Sequence, residues 1–321
     1  MISTALTEMF GLQHPIVLGP MGGVSGGLLA AAVSNAGGLG MVGGGYGDPA
    51  WLHAELACVR ANTRAPWGVG LITWSCEPEL VALALSYRPH AFMLSFGDPR
   101  LYGAAIRAAG CKLICQVQDL EGARLAREAG ADVIVAQGTE AGGHGGTLAT
   151  MPLVPAVVDA VTPIPVVAAG GIADGRGLAA ALMLGAQGAL IGTRFCASTE
   201  ALGHPEAKQR IVHAHGGQTS RTRVFDIVRG YDWPAPYTGR ALQNHFMQQW
   251  HGREAVLANQ LEPEKAAYAV ATRGADFDTA LVWAGEAASL IHSVESASDL
   301  VAQISAQAQQ QLSRSAHWRR G

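Results

Sequence analysis

The sequence predicts an α/β fold, a (β/α)8 TIM barrel with a small helical insertion after strand eight, and three observations carry that expectation. Eight short apolar runs recur between residue 14 and about residue 196, Ala- and Leu-rich helical stretches alternate with them, and the 41 glycines stand at the joints rather than in a low-complexity tract. With 321 residues and 49% hydrophobic content, the chain is long enough to bury a core of that size.

The runs are "HPIVLGPM", "GLGMVGGG", "WGVGLITW", "AFMLSFG", "KLICQV", "DVIVAQG", "IPVVAAGGI" and "GALIGTRF". Each is too short for a helix, and each is continuously apolar rather than alternating, as strands covered on both faces must be. Between them, "SGGLLAAAVSNAG", "DLEGARLAREAG" and "DGRGLAAALMLG" space their apolar residues for helices and close on glycine. A glycine there adopts the left-handed conformation that turns a helix back into a strand, so "AIRAAGCKLICQ", "LAREAGADVIVAQ" and "ALMLGAQGALIGT" are one βα unit repeated. An open doubly wound sheet is the alternative. It is disfavoured because no G-x-G-x-x-G follows the first strand, and the surroundings of Lys112, Lys208 and Lys265 exclude a G-K-[ST] phosphate loop.

From about residue 200 the texture becomes polar, aromatic and rich in arginine, and from "DTALVWAGEAASLI" it returns to Ala/Leu periodicity. Residues 1–208 and 279–321 are therefore expected to form the barrel, and residues 209–278 a helical insertion over the substrate. A net charge of -3 offers no basic surface to nucleic acid. Neither an export signal nor a membrane span is apparent, so a cytoplasmic protein is expected, with a homodimer left open. The five cysteines show no C-x-x-C spacing and read as reduced core residues. His213-x-His215 with His204 upstream lacks the acidic or cysteine partners of a metal site, and no metal is expected.

In such barrels chemistry sits at the C-terminal strand ends, with phosphate often held after strands seven and eight. After strand seven, Gly170 and Gly171 let backbone N–H groups approach an anion, and Ala173 to Gly175 open a helix with its positive end. After strand eight, Gly192 allows close approach and Thr193 adds a hydroxyl, while Arg194 adds charge or braces the turn. His144 lies just past strand six on the same rim, flanked by Gly142, Gly143, Gly145 and Gly146. Those glycines are expected to leave room for a flat ligand, with the imidazole facing its reactive edge as acid, base or charge stabiliser.

"GTEAGGHGG", "VVAAGGIADGRG" and "IGTRF", with "HPIVLGPMGGVS", "NAGGLGMVGGG" and "WAGEAASLI", resemble the FMN-dependent nitronate monooxygenases, formerly called 2-nitropropane dioxygenases, and the related flavin-dependent enoyl reductases of fatty-acid synthesis. The resemblance implies a flavoprotein that oxidises alkyl nitronates with O2 to carbonyl compounds and nitrite, His144 being the active-site histidine. It places Pro20, Met21 and Gly22 along the isoalloxazine, Gly170, Gly171, Gly192 and Thr193 at the FMN phosphate, and Gln137, Gly142 and Gly143 near the flavin. Gln116 stands where some members carry lysine, Gly70 where an asparagine often faces the flavin, and Trp283 where one member type has serine. An NAD(P)H-dependent reductase of an enoyl thioester or quinone is the alternative activity, and a non-catalytic flavin-binding barrel a third possibility.

Overall fold

The computed structural model describes residues 2–315; residue 1 and residues 316–321 of the expected barrel domain lie outside the described residues. The eight apolar runs become the eight barrel strands: β1 (Ile16–Leu18), β2 (Gly40–Gly43), β3 (Trp67–Ile72), β4 (Ala91–Ser95), β5 (Lys112–Val117), β6 (Val133–Gln137), β8 (Val166–Ala169) and β9 (Ala189–Ile191). Between β6 and β8 the chain adds a short strand outside the barrel, β7 (Gly143–Gly145). The parallel sheet runs β1-β9-β8-β6-β5-β4-β3-β2. It closes on itself where Val17 bridges Leu39 and Leu18 N–H donates to Leu39 O at 2.9 Å. Closure leaves no open edge and confirms a (β/α)8 barrel.

α1 (Ala5–Phe10) precedes the barrel, and the outer helices are α2 (Gly27–Asn35), α3 (Pro49–Asn62), α4 (Pro78–Ser86), α5 (Arg100–Ala108), α6 (Leu120–Glu128), α7 (Thr150–Val161) and α8 (Gly175–Met183). Gly37, Gly110, Gly130 and Gly185, just past four of these helices, have φ between +75° and +94°. That is the left-handed geometry the glycine punctuation implied. β-Strand side chains are buried nearly throughout, because the barrel interior lies on one side and the helices on the other.

Close helix–strand approach is enforced by absent side chains. A Cβ on Gly40 would stand 1.8 Å from Ala30 O, on the backbone of α2. Gly40→Ala is therefore expected to force α2 off the sheet and cost about 3 kcal/mol or more, read as a lower urea midpoint at unchanged slope.

After β9 come α9 (Thr193–Cys196), α10 (Pro205–His213), β10 (Thr219–Thr222), α11 (Val224–Arg229), β11 (Thr238–Leu242), α12 (His245–Trp250), α13 (Glu254–Asn259), α14 (Leu261–Arg273) and the long α15 (Ala297–Ser315). α15 completes the barrel by lying on α8, where a Cβ on Gly175 would come within 2.3 Å of Ala308 N. The insertion has the expected helices and, in addition, the strands β10 and β11. These join β7 in a three-stranded antiparallel sheet ordered β10-β11-β7. Its own core gathers Val224, Phe225 and Val228 of α11 with Phe246, Trp250, Leu257 and Tyr268. Among the described residues no helix is long and apolar enough to cross a membrane, and no cluster of His, Cys, Asp or Glu is arranged to hold a metal. All five cysteines are free, four of them buried.

Candidate active site

β7 carries His144 and is paired not with the barrel but with the insertion, His144 lying opposite Gly239 of β11. The glycine at 239 is required: a Cβ there would stand 2.5 Å from the Trp283 ring and 3.4 Å from His144 Nε2. His144 is 8% exposed and sits in an aromatic box. The Trp233 indole is stacked on it, with ring centres 3.5 Å apart and planes 6° from parallel, while Trp283 leans against it at 5.1 Å. Trp233 is held in turn by its Nε1–H donating to Tyr46 Oη at 2.9 Å, and Tyr46 is stacked on Tyr231 at 3.7 Å.

His144 Nε2 lies 2.9 and 3.0 Å from the two carboxylate oxygens of Asp226, itself 1% exposed on α11. Among the described residues, Nδ1 makes no hydrogen bond. Burial pushes the imidazole below its ordinary 6.5, and Arg229 and Arg221 push the same way; the hydrogen bond and charge of Asp226 oppose them without reversing the outcome. The ring is thus neutral at pH 7. It gains its second proton only below 6.5, so a function needing the neutral imidazole is lost on acidification later than for a solvated histidine.

The backbone of β7 is set by a chain of amides. Gln137, at the end of β6, donates to His144 O at 3.0 Å, and its Oε1 accepts from Gln118 at 2.9 Å and Gln116 at 3.2 Å. From the other side, Arg221 donates to Thr139 O at 3.0 Å and to Thr238 O at 2.6 Å, and Arg240 donates to the same Thr139 O at 2.9 Å. Burial and the neighbouring Arg240 push Arg221 down to about 10, which still leaves it charged at neutral pH.

Three further loops meet at this rim. After β1, Pro20, Met21 and Gly22 turn across the barrel mouth, knotted by the buried Ser25 hydroxyl, which accepts from Met21 N–H at 2.5 Å. The missing side chains of Gly70 and Gly22 admit this turn: a Cβ on Gly70 would stand 2.4 Å from the Pro20 ring, and one on Gly22 2.6 Å from Gly45 Cα. After β8 and β9, which are neighbours in the sheet, come Gly170 and Gly171 and then Gly192 and Thr193. Among the described residues, the backbone N–H groups of Gly171, Gly192 and Thr193 have no partner. A Cβ on Gly192 would meet nothing nearer than Met21 Sδ at 3.3 Å, and one on Gly171 nothing nearer than Glu140 Cβ at 3.4 Å. Unpartnered donors on two adjacent loops, with only side-chain atoms of Met21 and Glu140 near them, are what an anion requires.

The sequence pattern described as nitronate monooxygenase matches residues 3–79 and 73–307. The chain belongs to the nitronate monooxygenase family. Nitronate monooxygenase npaC of Metarhizium robertsii is 36% identical, over 92% of this chain and 91% of that protein. The (3aS,4S,5R,7aS)-5-hydroxy-7a-methyl-1-oxo-octahydro-1H-indene-4-carboxyl-CoA dehydrogenase of Mycobacterium tuberculosis is 37% identical over 70% of this chain, which spans 64% of that relative's length. The solved structure of FabK from Thermotoga maritima superimposes with a TM-score of 0.89 at 31% identity, covering 99% of this chain and 100% of that one.

Within this nitronate monooxygenase fold, the rim gathers the expected residues, but several act differently from what the sequence implied. The glycines around His144 mostly do not leave room for a ligand. Gly142 abuts Gly285 and Ala284, Gly145 makes way for Arg221 and Gln137, and Gly146 for Gln118; Gly143 alone, at φ +70°, has nothing within 4 Å of its Cβ position. Gly70 is explained by Pro20, as Gly170 is by Gly138 O at 2.9 Å and Thr150 Oγ1 at 3.0 Å. Gln116 and Gln137 spend their amides on one another and on His144 O. Thr193 Oγ1 accepts from Gly285 N–H at 3.0 Å, keeping its own proton free to donate. Arg194 is a brace and not an anion ligand: 5% exposed, it donates to Ser293 O and pairs with Glu295, both at 2.9 Å.

Asp226, Trp233, Gln118 and Arg221 escape motif-based reasoning. Asp226 lies 82 residues from His144, within the helix "VFDIVR", where no spacing to the histidine marks it. The one available signal is the density of aromatic and charged residues in "RTRVFDIVRGYDWPAPY", unusual for a surface loop.

Proposed function

We propose that the protein is an FMN-dependent nitronate monooxygenase converting alkyl nitronates and O2 to carbonyl compounds and nitrite. One observation carries this reading: the anion nest of Gly171, Gly192 and Thr193 and the aromatic-boxed His144 open on the same C-terminal rim, with Pro20, Met21 and Gly22 between loops. A mononucleotide fits that arrangement, because one phosphate-sized nest suits one phosphate and the Pro20–Gly22 turn offers a flat backbone surface beside it. The chemistry bound FMN supplies is electron transfer from the nitronate and on to O2.

The chain's own residues do the rest. The rim loops seat the ligand, while Trp233 and Trp283 exclude water around His144. The neutral imidazole, with Nε2 engaged by Asp226, meets the substrate through Nδ1, the ring atom left without a partner among the described residues. Cytoplasmic location is part of the same proposal.

Purified protein is expected to be yellow, to release FMN on denaturation, and to produce nitrite from alkyl nitronates under air without NAD(P)H. Recovery of FAD would count against the mononucleotide. NAD(P)H oxidation coupled to an enoyl thioester or a quinone, in the absence of nitrite release, would replace the monooxygenase by a reductase.

A further inference from the structure

We infer that Asp226 is the positioning residue of this site, its carboxylate locking His144 as the Nε2–H tautomer so that Nδ1 stays unprotonated for the substrate. The inference rests on the proposed function only for what the substrate is; the placement of the proton follows from geometry. Both Asp226 oxygens face one atom, His144 Nε2, at 2.9 and 3.0 Å. Among the described residues, that carboxylate takes no other hydrogen bond. A carboxylate accepts and cannot donate, so the nitrogen it faces carries the proton, and a neutral imidazole then has none on Nδ1.

A structural role alone accounts poorly for this pair. Burying a carboxylate is costly unless several donors surround it, and a well-packed apolar pair of similar volume would hold the insertion to the barrel at least as well. Here a carboxylate 1% exposed has, among the described residues, a single hydrogen-bond partner, and that partner is the rim histidine. α11 is also fixed on its other sides: Val224, Phe225 and Val228 enter the insertion core, Val224 N–H donates to Thr222 Oγ1 at 3.2 Å, and Gly230 ends the helix at φ +75°. Asp226 is therefore aimed by a rigid element. The ring it holds cannot swivel, because Trp233 covers it at 3.5 Å and Gly239 and Trp283 close around Nε2. The insertion thus supplies the group that sets the protonation of a barrel histidine as well as the walls around it.

The charged groups facing His144 are Asp226 and Arg229 of α11 and Arg221 of β10. Removing the Asp226 charge leaves the two arginines and burial unopposed, so the histidine should become harder to protonate. The test uses the flavin-loaded protein with 15N-labelled histidine, the His144 signals being assigned by their absence in His144→Gln. In the parent protein the ring nitrogens should report Nε2–H with bare Nδ1, titrating below 6.5. In Asp226→Asn, which is isosteric and uncharged, the titration should move lower still and the Nδ1–H form should appear, because an amide can also donate to Nε2. Nitronate turnover should fall on the order of 10²- to 10⁴-fold, the range reached when an orienting carboxylate is lost. Asp226→Glu should restore the Nε2–H form and part of the rate. An unchanged tautomer and titration in Asp226→Asn would overturn the inference, whether the rate fell or not, since a fall without a tautomer change marks a merely structural pair. A parent protein that releases no nitrite at all would overturn the proposed function while the nitrogen shifts still decided the role of Asp226.

Discussion

His144→Ala is expected to lower nitronate turnover about 10²- to 10⁴-fold per bound flavin, the usual contribution of a positioned acid or base. FMN should remain, because the proposed grip comes from Gly171, Gly192 and Thr193 on loops after β8 and β9, whereas His144 belongs to β7. From the sequence alone, thermal stability would be expected to change little. The structure revises that: deleting the imidazole removes the one hydrogen-bond partner that the Asp226 carboxylate has among the described residues and opens a cavity beneath Trp233. Leaving a buried charge unpaired costs about 3–5 kcal/mol. The double variant His144→Ala/Asp226→Asn removes the stranded charge, so it should recover much of the stability and none of the activity. Stopped-flow or steady-state nitrite release, normalised to flavin content and set beside thermal melts, reads both effects. Parental turnover in the folded, flavinated fraction of either variant would remove His144 from the chemistry.

Gly192→Val should weaken FMN binding by roughly 10- to 100-fold, with little change in the stability of the flavin-free protein. Each hydrogen bond to a charged group contributes about 1.5–3 kcal/mol, and about 1.4 kcal/mol corresponds to a factor of ten. Position 192 is the better of the two glycine probes. Its φ of -106° is open to any residue, so valine adds bulk without backbone strain, whereas Gly171 at +74° would be strained whatever replaced it. The added methyl groups would project towards the space beside Met21 Sδ, 3.3 Å from the Cβ position. Titration of apoprotein with FMN, followed by flavin fluorescence, measures the loss. Stoichiometric flavin retained through purification would place the phosphate elsewhere.

Much of the barrel was legible in the chain because its signals are local. A continuously apolar run such as "DVIVAQ" reads as a strand covered on both faces, and the glycine at 130 reads as the left-handed end of the helix before it, each within a few residues. The rim positions were legible for the same reason: a residue just after a barrel strand must lie at the C-terminal mouth, whatever the rest of the chain does.

What those residues do there was decided by contacts distant in sequence. Gly142, Gly145 and Gly146 look alike on paper, yet the first yields to Ala284 and Gly285, the second to Arg221 and the third to Gln118. Whether a missing side chain makes room for a ligand or for another part of the protein depends on what folds against it, and no local pattern carries that. His144 is the sharpest case. That a histidine stands at the mouth of a glycine-rich rim could be read along the chain; what surrounds it could not, because the carboxylate that holds Nε2 and the indole that dries the ring, Asp226 and Trp233, arrive from the insertion 82 and more residues away. Desolvation and hydrogen bonding act across 3 to 4 Å of space, and the chain brings those atoms together only by folding.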